Sequence, residues 1–301
     1  MRLFLLALVA VSLLLAAPAE AAKKKVAKKK RKAAPVVLAV KSLVLVDMTA
    51  GKTLYSRDAE LAMQPASITK VLSLYLVYDA VDKGKARWSD RVRISPWAGR
   101  TGGTRMHLEP NTEATLEELA TGMAVVSAND ASVAVAEHLG GSVEAFVEQM
   151  NRQARILGMT RSCFKTPHGL PAKGQYTTAV DIVRLSTAYL ERFPASLAVH
   201  ALRSYSYHGI TQTNRNRLLG HYPGADGLKT GYVGKAGWHI AATAKHGDTR
   251  MLAVVMGANN PNFRNREAEK LLDRGFAMVS GEAAPTRKGS GGAAASRSVS
   301  Q

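Results

Sequence analysis

Pro65-Ala66-Ser67-Ile68-Thr69-Lys70 opens an apolar run from Val71 to Val81, and the rest of the chain is organised around it. Proline just ahead of a Leu- and Val-rich run is a helix-start signal, so the stretch predicts a buried helix with Ser67 at its N-terminus. There the first backbone N–H groups have no helical partner and carry positive partial charge. Lys70 follows three residues later and shares the serine's face. Serine is a poor nucleophile in water, where lysine is fully protonated. A desolvated lysine near other positive charge has a lowered pKa and can take the serine's proton. Ser-x-x-Lys alone is also what a surface serine and a helix-face lysine would look like, so the flanking sequence has to decide.

Upstream of this helix, residues 36–57 alternate as a hairpin: Ser42 to Asp47, a turn through Met48-Thr49-Ala50-Gly51, then Lys52 to Ser56. Downstream, Thr101-Gly102-Gly103-Thr104 reads as a loop. Thr115 to Ile156 has helical spacing with breaks near Ser127-Ala128-Asn129 and Gly140-Gly141. Pro167 to Tyr176 is a Gly- and Pro-containing loop, and Thr177 to Arg192 is again helical. Gly237 to Lys245 and Thr249 to Gly257 read as two strands about His246-Gly247-Asp248, followed by a last helix from about Asn265 to Val279. Strands at both ends with helices between predict an α+β fold whose terminal strands share one sheet.

Further out, Met1-Arg2, the apolar stretch Leu3 to Ala17 and Ala19-Glu20-Ala21 describe a secretory signal peptide cut after Ala21. Lys23 to Lys32 is a block of like charge, expected to repel itself and stay disordered within a linker over 22–35. It suits either an anionic membrane surface or envelope polymer, or a solvated spacer. The Ala-, Gly- and Ser-rich tail from Ala283 to Gln301 is too polar to fold, which leaves residues 36–282 as the expected catalytic domain. Of the net charge of +18, the lysine run carries eight and Arg287, Lys288 and Arg297 three, so +7 remains for residues 33–282. Such a moderately basic body argues against a dedicated nucleic-acid binder and favours an acidic substrate or an anionic surface. The one cysteine, Cys163, excludes an intrachain disulfide. The eight histidines show no metal-ligand spacing.

Two later stretches change the weight of the first. Ser127-Ala128-Asn129 lies at the break between helical runs, where a serine and an asparagine two apart can enter one cleft, although Ser-x-Asn is also an ordinary helix cap. Asp226-Gly227-Leu228-Lys229-Thr230-Gly231-Tyr232 precedes the strand pair. On an edge strand, Lys229 and Thr230 could bind a carboxylate, while Gly231 lets a peptide lie close to the backbone.

The ordered triple Ser-x-x-Lys, Ser-x-Asn and Lys-Thr-Gly is the set found in penicillin-binding proteins and class A β-lactamases. From about Val37 to Val279 the sequence resembles the low-molecular-mass penicillin-binding proteins, specifically the serine D-alanyl-D-alanine carboxypeptidases. The likeness includes Thr166-Pro167-His168-Gly169-Leu170, Gly174-Gln175-Tyr176 leading to Asp181, Asn214-Arg215-Asn216, and Arg264-Asn265-Arg266-Glu267-Ala268. It implies a β-lactamase/transpeptidase-like fold, an antiparallel sheet of N- and C-terminal strands beside a helical lobe. It further implies that Ser67 attacks the penultimate D-alanine carbonyl of peptidoglycan stem peptides, with Lys70 as base. Backbone N–H groups of Ser67 and Tyr232 would form the oxyanion hole, and Ser127, supported by Lys229, would pass a proton to the leaving D-alanine. Asn129 would hold the substrate amide, and Thr230, with Arg266, the terminal carboxylate. His168, Asp181 and Arg215 belong to the cleft or its bordering loop, or are structural. The scheme needs no metal or organic cofactor, and β-lactams are the expected inhibitors.

The chain departs from that pattern in two places. Many family members carry a further β-rich domain and a C-terminal amphipathic anchor; this sequence ends before either, which predicts an exported, periplasmic form without a C-terminal membrane anchor. Tyr232 stands where histidine is frequent. Among rival activities, a class A β-lactamase would need a loop carboxylate to activate water, and Lys165 to Val180 contains no Glu or Asp. A D,D-endopeptidase that cuts crosslinks would use the same triple, and a non-catalytic peptidoglycan-binding protein is the alternative from another class.

Overall fold

Alternation in the first strand sets the layers of the molecule. The computed structural model describes residues 40–281. Strand β1 (Ser42–Asp47) turns through residues 48–51 into β2 (Lys52–Arg57), as the hairpin pattern predicts. Successive side chains of a strand point to opposite faces. Val44 and Val46 therefore enter one hydrophobic cluster, and Leu43 and Leu45 a second on the other side of the sheet.

Strands β7 (Ala225–Val233), β8 (Gly237–His246) and β9 (Thr249–Ala258) complete an antiparallel five-stranded sheet in the order β2-β1-β9-β8-β7. Residues from both ends of the described chain thus share one sheet, with β1 pairing Leu45 to Ala253 of β9. The Lys-Thr-Gly strand, β7, lies at its edge. One face is covered by helix α8 (Pro261–Ser280), through Ala268, Leu271 and Leu272. The opposite face packs on the helical lobe.

At the centre of that lobe, a short 3-10 turn over Ala66–Ile68 leads into α1 (Thr69–Asp82), which is buried on every side over its first seven residues. A helix apolar all round is a core helix. Each fully buried Val, Leu or Ile contributes roughly 1.5–3 kcal/mol, and Ile68, Val71, Leu72, Leu74 and Val77 are all essentially inaccessible. Around α1 lie α3 (Leu116–Thr121), α4 (Asn129–Gly140), α5 (Val143–Ile156) and α6 (Ala179–Arg192). The expected breaks are there. A π-helical turn over Gly122–Val126 and a left-handed Ser127 separate α3 from α4, and Gly141, also left-handed, ends α4. Shorter elements complete the lobe and the cleft wall: β3 (Arg91–Arg93) with β4 (Glu113–Thr115), α2 (Pro96–Arg100), α7 (Ser196–His200), and the ribbon β5 (Ser204–Tyr207) with β6 (Ile210–Thr213). None of these was evident in the hydrophobic pattern, because each is too short to show a period.

Helix α8 starts four residues earlier than the apolar spacing suggests. Asn260 caps it, accepting from the backbone N–H groups of Asn262 and Phe263, and Pro261 occupies the first turn. Cys163 is a free, partly buried thiol whose backbone pairs with Tyr176. The expected signal segment, the basic run Lys23 to Lys32 and the tail from Ala283 lie outside the described residues.

Candidate active site

The three motifs come from three separate elements and meet in one cleft of about 650 Å³ lined by Ser67, Thr104, Ser127, Thr230, Gly231 and Tyr232, among others. Ser67 sits in the 3-10 turn, where its backbone N–H has no helical acceptor. The residue before it, Ala66, has a left-handed backbone (φ 51°). Such a conformation is costly for a residue with a Cβ and persists only where the surroundings enforce it. Gly169 does so from one side and Gly231 from the other. A methyl group on Gly169 (φ +86°) would lie 1.8 Å from the carbonyl oxygen of Ala66, and one on Gly231 would lie 3.1 Å from the Ser67 nitrogen. The Ser67 turn is therefore clamped between the Thr166–Leu170 loop and strand β7.

Lys70 is fully buried beneath Ser67. Its Nζ lies 3.1 Å from Ser67 Oγ, 2.7 Å from Asn129 Oδ1 and 2.8 Å from the His168 carbonyl oxygen. The last two atoms can only accept. A neutral amine donates two hydrogen bonds to them and keeps its lone pair for the Ser67 hydroxyl proton. Burial, followed by the positive charge of Lys229, holds the Lys70 pKa well below that of an ordinary lysine, against the opposing pull of Asp130. The lowered pKa favours the neutral amine.

Lys229 is also buried, pushed down to about 7 by burial and then by Arg215 and Arg264. Its Nζ donates to the Thr230 carbonyl at 3.2 Å. Ser127 enters the cleft because the π-turn ends in its left-handed residue (φ 70°), which reverses the chain and turns the side chain away from the helix. Asp130, buried behind it, accepts from the N–H groups of Met106 and Leu108 and pins the segment after Thr104.

The remaining expected residues divide. Asn129 has its amide committed within the protein: Oδ1 to Lys70, and Nδ2 donating to the Gly102 carbonyl at 2.8 Å. It ties Lys70 to the 102–104 loop and is buried, not among the residues that line the cleft. His168 contributes its carbonyl to Lys70, while its ring Nδ1 accepts from the Leu170 N–H at 3.1 Å. Burial, then Lys70, pushes that imidazole down to about 3, so it is a neutral turn residue. Thr178 caps α6 by accepting from the Asp181 N–H, and the Asp181 carboxylate is buried against Arg161 N–H, Ser162 Oγ and Arg184, away from the cleft. Arg215 does line the cleft, and Tyr232, half exposed, stacks on Trp238 at 4.1 Å.

Arg266 requires a correction. It is exposed, its guanidinium lies over the Phe263 ring, and it faces a separate groove. The arginine of α8 that lines the cleft is Arg264, buried and lowered to about 10 by burial and then by Arg217. Two helical positions differ by about 200° around the axis, so Arg264 and Arg266 cannot share a face. The available signal was periodicity: Arg264 stands at i with the apolar Ala268, Leu271 and Leu272 at i+4, i+7 and i+8. Arg217, Thr104, Gln212 and Trp238 also line the cleft without having stood out in the sequence. Among the described residues, no cluster of three or more His, Cys, Asp or Glu side chains is placed to hold a metal ion, and no helix is long and apolar enough to cross a membrane.

Residues 28–260 match the sequence profile of the peptidase S11 family, described as D-alanyl-D-alanine carboxypeptidase. The chain is 41% identical to D-alanyl-D-alanine carboxypeptidase DacF of Bacillus subtilis over 243 residues, 79% of this chain and 62% of that one. Penicillin-binding protein 5 of Haemophilus influenzae superposes with a TM-score of 0.78 at 35% identity, over 81% of this chain and 72% of that one. Penicillin-binding protein D2 of Listeria monocytogenes, solved with ampicillin bound, does so with a TM-score of 0.70 at 28% identity, over 79% and 98%. The chain spans about three-fifths of the length of the curated relatives it matches.

Proposed function

Because the chain belongs to the D-alanyl-D-alanine carboxypeptidase family (peptidase S11), we propose that it removes the terminal D-alanine from peptidoglycan stem peptides through an acyl-enzyme on Ser67. The observation that carries the reading is the Ser67–Lys70 pair: a buried amine 3.1 Å from the hydroxyl, with two donors committed to carbonyl oxygens and a lowered pKa. Lys70 takes the hydroxyl proton as Ser67 Oγ attacks the carbonyl carbon of the penultimate residue. Oxyanion stabilisation falls to the N–H of Ser67, at the start of its turn, and to an outward-facing N–H of edge strand β7 at Tyr232. As the amide C–N bond breaks, the leaving amine receives a proton through Ser127, with Lys229 behind it. Water then releases the shortened peptide.

Thr230 and Arg264 are suited to the substrate's terminal carboxylate, since both line the cleft and Arg264 has no carboxylate partner among the described residues. Asn129 acts on the base by positioning it. β-Lactams, cyclic mimics of the same amide, acylate Ser67, in keeping with ampicillin bound to the Listeria relative. A substrate outside the cytoplasmic membrane requires export, which the Leu3 to Ala17 stretch supplies in this reading, and the Lys23 to Lys32 run holds the enzyme near an anionic surface or polymer.

The test is intact-mass and product analysis of the protein with diacetyl-Lys-D-Ala-D-Ala and then with penicillin, wild type beside Ser67→Ala. D-Alanine release and a penicillin adduct, both lost in the variant, are the expected result. An adduct without D-alanine release would transfer the reading to crosslink cleavage, and the absence of any adduct would overturn it.

A further inference from the structure

Beside the cleft lies a second groove of about 600 Å³, and its chemistry is distinct. Arg203, Arg217 and Arg266 line it together with Asn262 and Asn265 at the start of α8. Arg217 lines the cleft as well, so the two spaces adjoin at that side chain. Only the first turn of α8 separates them, with Arg264 turned to the cleft and Arg266 to the groove. The three guanidinium groups are exposed, and among the described residues none has a carboxylate within ion-pair distance. The one acid lining the groove, Glu269, is 3.6 Å from His221. Arg203 is held in place over Gly220, where a methyl group would lie 2.8 Å from its guanidinium carbon.

Three like charges that make no ion pair among the described residues repel one another, outnumber the one acid of the groove and raise the local concentration of anions. Planar guanidinium forks match the paired oxygens of a carboxylate or a phosphate, and the groove's place beside the peptide cleft, which it adjoins at Arg217, favours the carboxylate. We infer that this groove is a second anion subsite, which takes a further carboxylate carried by the leaving residue of the peptide substrate. The inference rests on the reading above, in which the substrate's own terminal carboxylate sits at Thr230 and Arg264. The groove lies next along α8 from that point. A leaving residue of D-alanine leaves it unused. The substrate class it selects is a peptide whose leaving residue is larger and acidic, as in a crosslink to a second carboxylate-bearing peptide.

The experiment measures binding of fluorescently labelled Nα-acetyl-Lys-D-Ala-X peptides by anisotropy at low salt, with X as D-alanine, D-2-aminoadipate or D-lysine. Ser67→Ala protein is used so that nothing is turned over, with and without Arg203→Glu. The expected result is binding several-fold tighter for D-2-aminoadipate than for D-alanine, with D-lysine weakest. The preference shrinks as salt rises and disappears in Arg203→Glu, while the D-alanine peptide binds both proteins alike. Arg203→Gln, giving an intermediate loss, guards against misfolding of the charge-reversed protein. Equal binding of the three peptides, or an acidic preference that survives Arg203→Glu, would overturn the inference. So would inorganic polyphosphate bound through Arg203 with no discrimination among the peptides, which would assign the groove to a phosphate polymer. Turnover of the D-alanine peptide by the wild type is scored separately and tests only the carboxypeptidase reading.

Discussion

At Lys70, sequence spacing and tertiary environment do different work. Three residues of helix bring its amine to Ser67, but only the Asn129 amide and the His168 carbonyl, from 59 and 98 residues away, consume its two protons. Its pKa is also lowered by Lys229. Removing that positive charge raises the Lys70 pKa, so more of the base is protonated at a given pH. Lys229→Gln is accordingly expected to move the acid limb of the pH profile for penicillin acylation toward higher pH, besides slowing the reaction. Stopped-flow acylation from pH 5 to 10 reads the shift; an unmoved acid limb would mean that Lys229 does not tune the base. Arg264 and Arg266 sit in one Arg-x-Arg pair, and the resemblance pointed to the second, whereas the apolar stripe of α8 assigns the first to the buried side.

At the scale of elements, the Thr166–Leu170 loop is a second support for α1. Pro167 accepts a hydrogen bond from Ser73 Oγ at 2.7 Å, His168 accepts from Lys70, and Gly169 packs on the Ala66 carbonyl. Gly169→Ala would introduce a Cβ into a left-handed position and into contact with backbone that cannot yield. The expected cost is about 1–3 kcal/mol of stability, with a larger loss in penicillin acylation, because the loop shift also moves the His168 carbonyl away from Lys70. Urea unfolding beside acylation kinetics separates the two; lowered stability with unchanged acylation would show that the loop does not position the base. This loop was legible in the sequence as Gly- and Pro-containing, and the helix breaks at Ser127 and Gly141 were legible too, since each carries a local backbone signal. Strands β3 to β6 and helices α2 and α7 were not, because a three- to five-residue element is specified by what it packs on.

Taken whole, the molecule buries three neutral histidines: His168 and His200, each pushed down to about 3, and His239, to about 4, burial being the largest cause in each. In the unfolded chain they titrate near 6.5. Between pH 6.5 and about 4 the unfolded state therefore binds more protons, and stability falls as pH falls, by up to about 1.4 kcal/mol per pH unit for each histidine. Thermal melts from pH 7.5 to 4.5 should show a declining Tm. His200→Gln, which removes one such group, should melt lower at pH 7.5 yet decline less steeply. A Tm independent of pH over that range would mean that these imidazoles are not buried in neutral form. His200 also ties α7 to strand β7, its Nδ1 3.0 Å from the Leu228 carbonyl and its Nε2 3.3 Å from Tyr189 Oη.

The sequence by itself determined the α+β class, the sharing of one sheet by the two ends of the described chain, the buried helix behind Ser67 and the three motifs that meet there. Alternation, an all-round apolar run, and glycine or proline at chain reversals are local, and each acts through the backbone of its own segment. Only the tertiary structure decided which arginine faces the cleft, that the Asn129 amide is bonded to Lys70 and Gly102, and that Arg203, Arg217 and Arg266 form a second basic groove. Those outcomes depend on rotation about a helix axis, on partners far away in sequence, and on charges brought together from three separate segments, and burial and Coulomb interaction depend on distance in space alone.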